Sequence, residues 1–168
     1  MAQFLRLAVS PIVESGTTSA TTTNKLREAG QNFLTTVSIG DIVYNSTDVA
    51  YAKVTAVDSD IALTLDADII PSGKAYVIYS KTASTKQLIS SRNVLLTEQT
   101  DTNNVTINYS SSSTGADVMT INHYTQASGT AMRDAIQDAL VKAHNSKNAP
   151  AVYIDVDVTS TVLGIAIG

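Results

Sequence analysis

The sequence predicts an α+β protein that is predominantly β, with an antiparallel β-sheet scaffold, one helix and an inserted small β-barrel or meander module. Three observations support this fold class. Apolar and polar residues alternate over much of the 168-residue chain, short turn sequences separate the alternating runs, and a single stretch spaces its apolar residues as a helix does. The helix is expected at about 130–145.

The clearest group of strands lies at 33–80. Within it, Ala52 and Val54 fall on one face of an alternating segment, as in a half-buried strand. A Pro-Ser-Gly turn at 71–73 separates two of the later segments. Ser- and Thr-rich joints precede and follow the group, so we predict an inserted all-β module at 24–80.

The rest of the chain is expected to form one discontinuous scaffold domain, residues 1–15 and 84–168. The apolar run at 3–9 predicts a strand, and its partner must lie far along the chain. Residues 16–23 cannot supply that partner, because they are small and polar and are typical of a linker.

A hairpin is predicted in the scaffold domain from alternation at 105–109 and 117–123. In its second strand Met119, Ile121 and His123 share one face. The intervening valine, threonine and asparagine share the other face, and either face is compatible with a core position.

The helix is indicated by apolar residues that recur at three- and four-residue spacing. Ser128 or Thr130 is expected to cap its start, and Lys142 and His144 lie in its last turn. Val141 departs from the pattern, because it is apolar and lies on the polar face. The apolar stripe consists of Met132, Ala135, Ile136, Ala139, Leu140 and Ala143.

Two strands are expected after the helix, at 151–158 and 161–167. The second is almost wholly apolar, and an unpaired edge of this kind tends to associate with other chains. We therefore expect it to be buried in a sheet or in an oligomer interface. The candidate interface residues are Val141, Leu163, Ile165 and Ile167.

Composition argues against several classes of function. The net charge of −4 and the lack of clustered basic residues argue against nucleic-acid binding. The absence of cysteine removes disulfides, thiolate zinc sites and cysteine nucleophiles. The first residues resemble neither a signal peptide nor a spanning helix, so we expect folding in a cytoplasm and no membrane partner.

No catalytic residue is predicted. A hydrolase would need a serine beside a histidine and an acid. The candidate residues for such a site are Ser128, His123 and His144. The chain lacks a Gly-x-Ser-x-Gly elbow. His123 is better explained as a hydrogen-bonded residue at a sheet edge, and His144 as a cation at the end of the helix.

No metal or cofactor is predicted either. Three Asp-x-Asp pairs offer the oxygen ligands that calcium prefers, but none lies in an EF-hand-like loop. Turn positions and solvent-facing strand positions explain them equally well. The pairs are Asp58 with Asp60, Asp66 with Asp68, and Asp155 with Asp157.

The segment from Ala131 to Val141 (AMRDAIQDALV), with Thr-Ile-Asn-His at 120–123 before it and Gly-Ile-Ala-Ile at 164–167 after it, resembles small virion structural proteins of tailed, especially marine, bacteriophages. Residues 32–79 look like a β-module that recurs in such proteins. The resemblance implies that the module is an insertion. It also implies that the first strand pairs with the second half of the chain.

The function implied by this resemblance is that of a non-enzymatic capsid cement or decoration protein. Its expected partners are the major capsid protein or other virion proteins and further copies of itself, with a trimer favoured. Its expected location is the virion, after synthesis in the host bacterial cytoplasm. Three alternatives remain open, namely a tail or neck component, a glycan-binding or adhesive module, and a hydrolase built on Ser128 and His123.

Overall fold

The structure is a computed structural model that describes residues 4–110, 117–124, 129–146, 153–158 and 160–168. The described elements are, in chain order, β1 (Phe4–Val9), β2 (Ile12–Thr17), β3 (Lys25–Arg27), α1 (Phe33–Thr36), β4 (Ile42–Asn45), β5 (Ala50–Ser59), β6 (Ala62–Leu65), β7 (Ala75–Tyr79), β8 (Thr85–Ser90), β9 (Val94–Asp101), β10 (Asn104–Tyr109), β11 (Asp117–Tyr124), α2 (Ala131–Asn145), β12 (Tyr153–Asp155) and β13 (Thr161–Ile167).

The predicted fold class is confirmed, because strands make up 52% of the structure and α2 is its long helix. The sheets are antiparallel in the main, and one is curled into a half-barrel. The one-turn helix α1 was not predicted. It forms where Phe33 is fully buried, and it ends after four residues, two of which are β-branched threonines that propagate a helix poorly.

The chain divides into two compact units. One consists of Met1–Val9 together with Ala83–Gly168, and the other consists of Ser10–Thr82. We call them the scaffold unit and the β-unit. The expectation that 10–15 belong with the scaffold differs from this division. Strand β2 lies in the β-unit, because it pairs with β7.

The scaffold unit contains a three-stranded sheet of order β12-β1-β8 and a four-stranded sheet of order β13-β11-β10-β9. Strand β1 is central in the first sheet and pairs antiparallel with β8. This confirms that the first strand pairs with the second half of the chain. The hairpin of β10 and β11 is confirmed as well.

The pairing of β1 with β12 is parallel, which is an exception to the predicted antiparallel scaffold. Strand β12 is also shorter than the predicted strand at 151–158. Ala151 and Val152 lie outside the described residues, and the strand ends at Asp155. Val156 turns its side chain into the core, and its N–H donates to the carbonyl of Arg6 at 3.0 Å.

Arg6 links β1 to β12 on the face away from the core. Its Nε and Nη2 donate to the two carboxylate oxygens of Asp155 at 2.5 and 2.7 Å, a bidentate arrangement. Its guanidinium lies 3.8 Å from the centre of the Tyr153 ring. The hydrogen bonds from Arg6 hold the pKa of Asp155 below its usual range. These contacts favour the parallel register, in which Arg6 lies opposite Asp155.

Helix α2 packs its apolar stripe into the core of the scaffold unit, as predicted. Thr130 precedes the helix but makes no side-chain capping hydrogen bond, and Ser128 lies outside the described residues. The core is built from β1, both sheets and the helix. Its buried residues are Leu5, Leu7, Val9, Ile89, Val105, Ile107, Ile121, Met132, Ile136, Ala139, Ala143, Val156 and Val162.

The β-unit is a six-stranded antiparallel sheet of order β2-β7-β4-β5-β6-β3. Residues 16–23 were predicted to be a linker, but Gly16 and Thr17 end β2. Thr18 is buried, and its hydroxyl donates to the carbonyl of Pro71 at 2.6 Å. Tertiary hydrogen bonds therefore order a segment whose composition alone is typical of a loop.

A second apolar core fills the β-unit. Leu63 and Leu65 of β6 belong to it, whereas Ile61 lies in the turn before β6 and is exposed. The buried residues of this core are Leu26, Phe33, Val37, Val43, Ala52, Val54, Leu63, Leu65, Ile70, Tyr76 and Ile78.

Gly16 permits a close approach in the β-unit. A Cβ at this position would lie 2.2 Å from a carboxylate oxygen of Glu28. That carboxylate accepts a hydrogen bond from the hydroxyl of Tyr76 at 2.5 Å and one from the N–H of Thr17 at 3.2 Å. The glycine thus leaves room for the partner of a buried tyrosine hydroxyl.

We predict that Leu7→Ala destabilises the scaffold unit by about 2–5 kcal/mol, because the leucine is fully buried and its truncation leaves a cavity in the core. The matched change in the other core is Leu63→Ala, at an equally buried leucine. Residue-resolved hydrogen exchange should show faster exchange in the scaffold unit for the first variant and in the β-unit for the second. Equal loss of protection in both units for each variant would show one cooperative core instead.

Candidate interaction surface

Strand β13 lies at one edge of the four-stranded sheet and pairs with β11. Its C-terminal half is open, with Ala166 and Ile167 exposed and 78% of Ile167 accessible to solvent. Ile165 is half-buried and packs against the scaffold core. The exposed backbone edge and Ile167 therefore form an apolar strip at the rim of the sheet.

Leu163 does not belong to this strip. It was predicted as a candidate interface residue of this strand, and it is only 5% exposed. It lies at a register shift opposite Asn122 and His123, which interrupts the alternation of side chains along β13. Leu163 therefore offers no accessible surface in a single chain.

Val141 lies on the outward face of α2 and is 58% exposed. Lys142, the next residue, is exposed as well, whereas Leu140 and Ala143 on either side of them contact the core, so Val141 lies on the side of α2 that faces away from the core. The structure leaves Val141 and Ile167 as the accessible members of the predicted set. Their role as interface residues stays a prediction.

Two exposed leucines on β9 escaped the sequence reasoning. Leu95 is 67% exposed because it lies at a β-bulge, where Val94 faces Tyr109 and Leu96 faces Asn108. Leu96 is also exposed, on the outer face of the sheet. The signal was present in the sequence, because consecutive residues of a strand face opposite sides and two adjacent leucines cannot both enter one core.

His123 is fully buried in β11, which is an inner strand of its sheet. The expected position at a sheet edge is therefore wrong. The ring Nε2 lies 3.1 Å from the side-chain nitrogen of Gln99. The same Gln99 nitrogen also donates to the carbonyls of Asp101 and Asn104, at 2.6 and 3.2 Å. Burial lowers the pKa of His123, and the charge of Asp101 opposes this only in part.

The turn between β9 and β10 holds the main chain of His123. The N–H of His123 donates to the carbonyl of Asn103 at 2.7 Å, and the Asn103 side chain donates to the carbonyl of His123 at 2.9 Å. Burial alone would raise the pKa of Asp101. Hydrogen bonds from Asn104 and from the N–H of Asn103 outweigh that effect and hold the pKa below its usual range.

This arrangement positions His123 as a neutral structural group. Ser128, the proposed nucleophile of the hydrolase alternative, lies outside the described residues. Within the described part of the chain, no serine hydroxyl or carboxylate is hydrogen-bonded to the His123 ring. His144 lies in the last turn of α2 and is exposed.

The aspartate pairs are engaged by protein groups. Asp58 accepts from Lys25 and from the Thr64 hydroxyl, both at 2.8 Å, and these hydrogen bonds lower its pKa. Asp66 accepts from the N–H of Lys53, and Asp155 pairs with Arg6 as described. Among the described residues, no group of three or more His, Asp or Glu side chains is arranged to hold a metal ion.

An open cleft of about 290 Å³ lies in the scaffold unit beside the ends of β10 and β11. Arg92 and Asp117 supply charges of opposite sign, and Tyr109 supplies an aromatic ring whose hydroxyl donates to the carbonyl of Ser90. Burial raises the pKa of Tyr109 to about 12. The remaining lining residues are Asn93, Ser110 and Met119.

Comparisons with protein-family models, curated proteins and solved structures find no match to this chain. In the ranges that the structure describes, neither helix has the length and apolar content needed to cross a membrane.

We predict that the stability of the scaffold unit decreases as the pH falls below about 6.5, the ordinary pKa of histidine. The pKa of His123 is lower in the folded protein, so the unfolded chain binds more protons in this range and unfolding is favoured. Above that pH the residue contributes no pH dependence.

Denaturant unfolding measured between pH 7.5 and 5 tests this prediction. His123→Asn is the control, because it keeps a polar side chain that does not titrate. The variant should be less stable at neutral pH and should lose less stability on acidification. If the stability of both proteins changed equally with pH, the lowered pKa of His123 would be contradicted.

Proposed function

We propose that the protein is a non-enzymatic virion structural protein, most simply a capsid cement or decoration protein. It binds the major capsid protein or another virion protein as a homo-oligomer and stabilises the shell. The support from the sequence is the resemblance of residues 120–123, 131–141 and 164–167 to such proteins of tailed bacteriophages. The observation that carries the proposal is the uncharged apolar edge of β13, with Ile167 extending from it into solvent.

Small apolar contacts, such as a single exposed valine or isoleucine side chain can make, suit an assembly that repeats them many times. Full burial of one valine or isoleucine side chain contributes about 1.5–3 kcal/mol, which is weak by itself. When several linked copies bind a lattice together, the second contact forms at a high effective concentration. The exposed Val141 of several linked copies can therefore hold a protein on a capsid without a large interface in each copy.

Electron microscopy of particles made with and without this chain tests the proposal. Density at regular positions on the shell, lost when the chain is absent, is the expected result. Density confined to the tail or neck would assign the tail or neck alternative, and particles with unchanged density would contradict a virion role.

One observation favours a second candidate, a glycan-binding module. The cleft lined by Arg92, Asp117 and Tyr109 combines opposite charges with one aromatic ring, which suits a polar ligand such as a saccharide. Binding of the purified protein to a glycan array, abolished by Arg92→Ala, would support this candidate.

We predict that Val141→Asp reduces binding to chain-free particles at least tenfold, about 1.4 kcal/mol, because a carboxylate would have to be desolvated at an apolar contact. The side chain is exposed, so the fold should tolerate the change. Binding is measured by co-sedimentation with particles.

Ser72→Asp is the matched control, since it adds the same charge at an exposed turn of the β-unit. It should bind as the unmodified protein does. The reverse result, with Ser72→Asp impaired and Val141→Asp unaffected, would move the contact from α2 to the β-unit.

A further inference from the structure

Strand β13 differs from every other edge strand in the described sheets. The three sheets have six edges, formed by β12, β8, β13, β9, β2 and β3. Five of these strands carry at least one charged residue, and β13 carries none and no proline. Charges at edges normally prevent pairing with another chain. The charged residues are Asp155 in β12, Lys86 in β8, Glu98 and Asp101 in β9, Glu14 in β2, and Lys25 and Arg27 in β3.

Packing within the chain does not require this lack of charge. Ile165 faces the core, and strand alternation places Gly164 and Ala166 on the opposite face. A Cβ built at Gly164 meets no atom within 4 Å, and Ala166 is exposed. A lysine or glutamate would fit at either position, so the constraint comes from outside the chain.

The hydrogen bonds identify which backbone groups are free at the edge. The N–H of Gly168 donates to the carbonyl of Val118 at 2.9 Å, so Gly168 faces β11. Residues of an antiparallel strand alternate between facing one neighbour and facing the other. Ala166 therefore faces β11 as well, and the N–H and C=O groups of Ile165 and Ile167 face the open side.

We infer that this edge pairs antiparallel with the same edge of a second copy of the chain, across a two-fold axis at Ala166. Ile165 of each copy then lies opposite Ile167 of the other, and both have outward-facing backbone groups, as a hydrogen-bonded pair requires. The N-terminal half of β13 is excluded, because Val162 and Leu163 are buried. The paired segment is 164–168.

The charge pattern argues for a second copy as the occupant. At a two-fold axis each residue meets the same residue or a near neighbour of its partner, so a charged edge repels itself. Among the described edges only β13 avoids this repulsion. Its β-branched isoleucines on one face, and the small residues Gly164 and Ala166 on the other, also allow close cross-strand packing.

The inference rests on the proposed function only in that both require copies to associate. The resemblance favours a trimer, whereas a two-fold contact gives a dimer or an even multiple of chains. Light scattering of the full chain at micromolar concentration should therefore show an even-numbered oligomer. A trimer would overturn the inference alone, whereas a monomer would overturn both the inference and the homo-oligomeric part of the proposed function; capsid binding itself is measured separately by co-sedimentation with particles.

Ile167→Pro tests the backbone pairing. Proline removes an N–H that faces outward and leaves the bonds of Ala166 and Gly168 to β11 in place. The variant should dissociate at a concentration at least tenfold higher than the unmodified chain. Ile167→Ala, which keeps the N–H, should dissociate less readily than the proline variant. Equal effects, or a proline variant that stays associated, would overturn the inference.

Ala166→Lys supplies a second route if the proline variant fails to fold. It places like charges opposite each other at the axis while its side chain lies in solvent in the monomer. Leu96→Lys, on the other edge strand of the same sheet, is its control and should leave the oligomer intact.

Hydrogen exchange completes the test, since the amides of Ile165 and Ile167 should be protected in the oligomer and should exchange rapidly after dilution. Rapid exchange at all concentrations would overturn the pairing.

Discussion

The scaffold unit depends on strand β1, because this strand joins the start of the chain to strands that lie far along the sequence. All six of its residues pair with β8, the first three also pair with β12, and its leucines Leu5 and Leu7 are fully buried in the core. The whole β-unit is inserted between β1 and β8. Closure entropy grows slowly with loop length, by about 0.6 kcal/mol for each doubling. A compact insert of this size is therefore compatible with a stable scaffold as long as β1 keeps its two partners.

Much of this fold follows from periodicity. Alternation located the β10–β11 hairpin and the strand that contains Ala52 and Val54, and the three- and four-residue spacing located α2 within one or two residues. What periodicity misses is set by tertiary contacts. The parallel partner of β1 depends on the pairing of Arg6 with Asp155, which are far apart in sequence. Strand β2 depends on β7, and its last two residues belong to a stretch whose composition is typical of a linker.

The candidate interaction surface was likewise predicted in part from periodicity, and the rest of it is set by tertiary contacts. Val141 and Ile167 were identified from pattern alone, and both are exposed. Leu163 is buried beside a register shift in β13, and no local signal in the sequence marks that shift. His123 was placed at an edge because its strand could not be ordered within the sheet from sequence. Its burial beside Gln99 makes it a structural residue that holds the β9–β10 turn against β11.

The two edge strands of the four-stranded sheet differ in charge and in regularity, and this difference limits assembly. Pairing of β13 across a two-fold axis consumes that edge in both copies and leaves β9 as the outer strand on each side. Strand β9 carries Glu98 and Asp101, and its bulge at Leu95 interrupts the regular backbone ladder. Charges and bulges both oppose the addition of a further strand. Because an isologous contact is closed, the joined sheet ends at two protected edges and does not propagate into a fibre. An apolar edge can thus be kept without fibre growth when a closed symmetric contact covers it.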